Sequence, residues 1–305
     1  MQQALAFPGI GAGLSETERA FYVQHASQTR PRLELASAAA QEDLLQALLT
    51  PDHGLAAAAQ ELLVHALNCA AAEIGFQHGL RPRLVLGHSL GLYAALVAAG
   101  SLSYPQSLEL VVSARQEVCR VCHPGDYALL VVVGFHEADV QALVCGVGAT
   151  ATAIVNRNSA IAFALAGPLA ELREISAGAT RQGAFKVALL TADLPYHHAG
   201  LLPGVVEPFR RFLGQCEWAS PTLPVFSTVD QRPLCTVAEL IDYTARNLVT
   251  SVDWCGAVVA LHQLGIEQVI EAGPGRSLQR AAAFIEPAPP HVALARLILP
   301  SAPTL

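Results

Sequence analysis

The sequence predicts an α/β protein in which a large parallel-sheet unit carries a smaller sheet unit inserted within it. Three observations point there. Two apolar strands each end in a glycine turn followed by helical patterning. A segment from about residue 126 to 190 has a different rhythm of short strands and helices, and α/β patterning resumes after it.

Taken in order, Ala4–Pro8 reads as a short apolar strand ending in the turn Gly9-Ile10-Gly11-Ala12-Gly13. Apolar residues then recur at helical spacing over 15–28, 40–49 and 55–79. The strand Arg83–Leu86 follows, then a sharp turn and a helix from Leu90 to Ala99, with another helical run from Leu108 to Val121. Strands joined through helices in this way pair in parallel. Within the inserted segment, Tyr127–Gly134 reads as a strand, Glu137–Val144 as a helix, and Ala151–Val155 and Ile161–Ala166 as two more strands. A helix at Leu169–Ala177 and a strand at Ala184–Leu190 complete a β-α-β-β-α-β order, which is ferredoxin-like. The later elements are a helix around Val237–Leu248, a strand at Gln268–Glu271 and a last helix opened by Gly273-Pro274-Gly275. The proline-rich stretch from Pro287 to Leu305 is expected to pack irregularly. The expected domains are 1–125 with 191–305 as one discontinuous unit, and 126–190 as the insert.

Bulk properties bound the function. With 305 residues, 52% of them hydrophobic and 14% charged, the chain buries a sizeable core and is not disordered. A net charge of −7 argues against nucleic-acid binding. No basic region precedes an apolar core at the N-terminus, so no secretory signal is expected. The apolar stretch Leu84–Gly100 is broken by His88, Ser89 and glycines, and reads as strand and helix rather than as a membrane span. Seven irregularly spaced cysteines suggest reduced thiols in a cytoplasmic protein. Cys119, Cys122 and His123 match a haem-attachment string. Attachment needs export, and no second cysteine pair completes a zinc set, so buried thiols are the expected reading.

Chemistry concentrates in two places. Gly87-His88-Ser89-Leu90-Gly91 is a G-x-S-x-G string, whose glycines allow a tight strand-to-helix reversal that turns the serine outward. Ser89 would then sit at a helix N-terminus, where free amides favour a developing oxyanion. A structural serine in a glycine-lined turn is the alternative. The best candidate bases are His197 and His198, in a proline turn where the insert returns to the main unit. Two surface loop histidines are the alternative. Gly9 to Gly13 has the spacing G-x-G-x-G rather than a dinucleotide fingerprint, and is read as backbone lining the Ser89 pocket.

These pieces together resemble the malonyl-CoA:acyl carrier protein transacylases. The resemblance is carried by Phe7-Pro8-Gly9-Ile10-Gly11, Gly87 through Leu96, Asn156-Arg157-Asn158-Ser159, Leu194-Pro195-Tyr196-His197, Arg246 through Trp254, and Glu271 through Gly275, in the family's order along nearly the whole chain. It implies an α/β-hydrolase-like large domain with a ferredoxin-like insert. It also implies Ser89 as nucleophile, His197 as base oriented by the carbonyl of Asn247, and an oxyanion hole from the amides of Ile10 and Leu90. His88 and Asn158 would contact substrate. The implied partners are a coenzyme A thioester, which is the substrate rather than a bound cofactor, and an acyl carrier protein. No bound cofactor, metal, nucleic acid or membrane is implied, and a monomer is expected.

Departures bear on the acyl group. Leu92 stands where the family has glutamate, and Ile10 where it has glutamine. The family's carboxylate-binding arginine falls on Ala114, with Arg115 one residue later and about 100° further round the helix. Arg115 is thus either the acyl-carboxylate ligand or a solvated surface arginine. Two other functions are alternatives: an acyl-thioester hydrolase of proofreading type that uses the same Ser89–His197 pair, and a non-catalytic docking module, which the intact serine, histidine and glycines oppose. Arg210, Arg211, Arg276 and Arg280 form a candidate patch for an acidic carrier.

Overall fold

The computed structural model describes residues 1–11, 13–50, 53–190 and 192–299. The chain opens with β1 (Gln3–Phe7), α1 (Glu16–Gln24), α2 (Ala26–Ala40), α3 (Leu44–Leu49), α4 (Ala57–Gln77), β2 (Leu84–Gly87), α5 (Gly91–Ala98) and α6 (Tyr104–Cys119). The insert holds β3 (Tyr127–Val133), α7 (Glu137–Gly146), β4 (Ala153–Ser159), β5 (Ala162–Pro168), α8 (Leu169–Arg181) and β6 (Lys186–Leu189). After it come α9 (Val206–Leu213), β7 (Val225–Phe226), β8 (Pro233–Leu234), α10 (Val237–Asn247), β9 (Val252–Asp253) and α11 (Trp254–Gln263). The chain closes with β10 (Gln268–Glu271), α12 (Ser277–Ala282), β11 (His291–Ala293) and α13 (Leu294–Ile298).

The large sheet has the strand order β11-β10-β1-β2-β7-β8, parallel except for the β7–β8 hairpin. Its central strands are apolar on both faces because helices cover both. Alternation assigns each residue to one side. Leu5, Phe7, Val85 and Ile270 point into a core shared with α2, α4, α5 and α6, while Ala4, Ala6, Leu84, Leu86 and Val269 meet α11 and Leu278 on the other. Each such large side chain stabilises the fold by about 2 kcal/mol through burial. The helix α4 is buried nearly all round, and its alanines let α2 and α5 approach closely. Capping boxes at Ser15–Glu18, Ser103–Gln106 and Thr236–Glu239 set the starts of α1, α6 and α10.

In the small sheet the order is β6-β3-β5-β4-β9. The first four strands make the antiparallel ferredoxin-like arrangement, with α7 and α8 packed on Leu130 and Val132. The opposite face, including Leu129 and Val131, turns toward the large unit and Ile10. The fifth strand is borrowed. β9 leaves the large unit to pair in parallel with β4, Asn156 opposite Val252 and Arg157 opposite Asp253.

Two expectations need correction. Residues between 28 and 40 are helical, because α2 runs through Pro31; its inner face of Thr29, Leu33 and Ala36 is held by packing that outweighs the proline's missing donor. The tail after Pro287 is also ordered in part. His291–Ala293 add a parallel strand to β10, and α13 buries Leu294 and Ala295; residues 300–305 lie outside the described ones. The Cys119–Cys122–His123 string closes α6, and the Cys122 thiol donates to the Leu201 carbonyl at 3.5 Å.

Candidate active site

Ser89 stands between β2 and α5 with φ of 54°, a left-handed conformation that costs a non-glycine residue about 1–2 kcal/mol. Backbone crowding holds it there. A Cβ on Gly87 would fall 2.1 Å from the Gly91 carbonyl carbon, and one on Gly91 would fall 2.1 Å from the Phe7 oxygen. His88 N–H donates to that same Phe7 oxygen at 2.9 Å, so the turn is clamped onto β1. Leu90 is the N-cap of α5, which places its amide at the helix start.

His197 reaches the serine from the loop after the insert. Its φ is 66°, and its N–H donates to the Leu248 carbonyl at 2.7 Å. This tie brings Nε2 to 2.6 Å from Ser89 Oγ. On the far side of the ring, Nδ1 lies 3.2 Å from the Thr250 carbonyl, and the Asn247 carbonyl also favours the protonated ring. The expected single carbonyl of Asn247 is therefore a pair. Burial, aided by the neighbouring His88, pulls the His197 pKa down to about 4, and the two carbonyls oppose that shift. The imidazole is neutral at physiological pH, as a proton acceptor must be.

Two cavities meet at Ser89. A wide cleft of about 560 Å³ lies between the two sheets, lined by Gly9, Ile10, Gly11, Gly13, His88, Asn156, Asn158, Trp254, Arg276 and Arg280 among others. In it His88 Nε2 lies 2.8 Å from Asn158 Oδ1, so these two predicted substrate contacts are brought together. The expected arginine patch divides. Arg276 and Arg280 line the cleft, while Arg210 pairs with Glu207 and Asp242.

The second cavity is small, about 30 Å³, and holds Ser89, His197, Ile10, Leu90, Tyr93, Val111, Ala114, Tyr196 and Glu61 in its lining. Ala114 faces this pocket and Arg115 does not, as one residue's rotation around α6 requires. Arg115 is not a solvated surface residue either. Its guanidinium grips Asp193 with two bonds of 2.9 and 2.7 Å and Glu61 with one of 2.9 Å. The sequence reading missed Glu61, Asp193 and Thr250. Glu61 had one signal, an acid amid the mostly buried residues of α4.

The family profile described as Acyl transferase domain matches residues 9–285. The malonyl CoA-acyl carrier protein transacylase of Salmonella typhimurium is 28% identical over 204 residues, spanning 66% of this chain and 65% of that protein. A Staphylococcus aureus protein of the same name is 24% identical over 277 residues, spanning 90% of this chain and 89% of its own. The crystal structure of an acyl-carrier-protein S-malonyltransferase from Burkholderia pseudomallei superposes with a TM-score of 0.81 at 26% identity, covering 96% of both chains. By the extent of the profile match, the chain belongs to the acyl transferase domain family.

Proposed function

We propose that the protein moves an acyl group, malonyl by default, from coenzyme A to the phosphopantetheine thiol of an acyl carrier protein through an ester on Ser89. The observation that carries this reading is the 2.6 Å contact between Ser89 Oγ and a buried, neutral His197 at the junction of two cavities. The names of the similar proteins supply the donor and acceptor, and favour a carrier thiol over water.

In the first half-reaction Ser89 Oγ attacks the thioester carbonyl carbon while His197 Nε2 takes its proton. The amides of Ile10 and Leu90, both at the small pocket, face the developing oxyanion. The C–S bond breaks, and His197 returns the proton to the leaving thiolate. In the second half the carrier thiol gives its proton to His197 and attacks the ester, and Ser89 leaves with that proton. The Thr250 and Asn247 carbonyls stabilise the transient imidazolium in place of a carboxylate. The acyl group enters the small pocket; the long pantetheine arm, common to donor and acceptor, occupies the wide cleft beside His88 and Asn158. None of these steps draws on a resident cofactor. Among the described residues no helix is long and apolar enough to cross a membrane.

Intact mass after brief incubation with malonyl-CoA tests this directly. A malonyl adduct is expected on the wild type, absent in Ser89→Ala and discharged by holo carrier protein. An adduct that water discharges as fast as the carrier does would mean a hydrolase.

A further inference from the structure

Behind the Ser89–His197 pair, α4, α6 and the loop after β6 bring Glu61, Arg115 and Asp193 into one cluster. Two carboxylates share one guanidinium, and Asp193 holds it in a bidentate fork. The side chains are 4%, 15% and 24% exposed for Glu61, Arg115 and Asp193. Of the three, only Glu61 lines the small pocket with Ser89 and His197. The pocket wall is therefore a carboxyl group, with the cation behind it. Tyr196 adds a bond from its hydroxyl to Glu61 Oε1 at 3.2 Å.

A carboxylate arriving in a space of about 30 Å³ would face Glu61 before it could face Arg115. Two ionised carboxylates do not share such a site. We propose that Glu61 sets the acyl specificity: an acyl group ending in a carboxylate is seated only while Glu61 is the neutral acid, whereas an uncharged acyl group is seated with Glu61 in either form. The proposal rests on the acyl-Ser89 reading given above. Burial, the larger effect, and the negative charge of Asp193 push the Glu61 pKa up to about 7 against the opposing pull of Arg115 and Tyr196.

The sign follows from that direction. The neutral acid prevails at low pH and is lost as pH rises through 7, so seating of a carboxylated acyl group falls as pH rises. The other groups facing Glu61 are Arg115 and Cys119 from α6, Tyr93 from α5, and Asp193, Tyr196 and His197 from the loop. Burial pushes both tyrosines and the cysteine upward, so they stay neutral, and Arg115 stays charged. His197 acts on every donor alike.

The test is single-turnover loading of Ser89 from malonyl-CoA and from propionyl-CoA, followed by intact mass at several pH values, for the wild type and Glu61→Gln. In the wild type the malonyl-to-propionyl rate ratio is expected to fall about tenfold between about pH 6 and 8. In Glu61→Gln the ratio is expected to be flat and no lower than the wild-type value at the acid end. A merely structural role for Glu61 would slow both donors and leave the ratio alone. A flat wild-type ratio, which needs no variant to measure, overturns the proposal, as does a pH-dependent ratio that survives Glu61→Gln. Loading with an unmoved ratio leaves acyl transfer standing; no adduct from either donor overturns both readings.

Discussion

The wide cleft and the small pocket meet at one serine and offer a substrate opposite terms. The cleft, about 560 Å³, is bounded by two different sheets, has apolar walls that include Leu129, Val131 and Ala164, and is edged with Asn156, Asn158, His88, Glu18, Lys186 and two arginines. The pocket, about 30 Å³, is walled by α4, α5, α6 and the His197 loop, and its one ionisable wall group besides the histidine and the tyrosines is Glu61. A long arm of mixed amide and alkyl character suits the first and a short acyl group the second. In the proposed reaction the arm and the acyl group therefore meet mostly different walls, with Ile10, Ser89 and Tyr196 common to both cavities.

That separation can be broken or sharpened by substitution. His197→Ala removes the base that acts on any acyl group and should do the most damage, slowing loading by about a thousandfold for every donor in single-turnover assays. Loss for malonyl-CoA with propionyl-CoA unaffected would show that the base is not shared. Ala114→Leu fills the small pocket alone. It should slow malonyl and propionyl loading by about a hundredfold while acetyl loading falls less than about tenfold, read by competition between donors in one mass spectrum. Equal losses would place the acyl group elsewhere. Asn158→Ala should have the smallest effect, since it removes one hydrogen bond to His88 in the cleft. The KM for both donor and carrier should rise about tenfold, with the ratio between acyl groups unchanged. A changed ratio would mean that the cleft also reads the acyl group.

What the amino-acid sequence made legible follows from locality. Ser89 and His197 sit in short strings whose glycines and prolines dictate backbone shape within a few residues, so the turns that carry them were readable, while the burial of His197 was not. The strands β3 to β6 alternate cleanly between a helix-covered face and a face toward the large unit, and their order could be read off. Glu61, Arg115 and Asp193 meet only in three dimensions, across 54 and 78 positions of chain, and no periodicity marks them as partners. The strands β7, β8 and β9 have two residues each, too few to show alternation. Pro31 hid the continuity of α2, and the prolines near residue 290 hid β11, because both elements are held by tertiary pairing against local preference.

The borrowed strand has a mechanical meaning. β9 begins two residues after Thr250, whose carbonyl holds the His197 ring, and its partner β4 carries Asn158, which holds His88. Both imidazoles are thus anchored to one short splice between the two sheets. A tilt of the inserted layer would therefore reach the proton acceptor and the cleft through the same short strand pair.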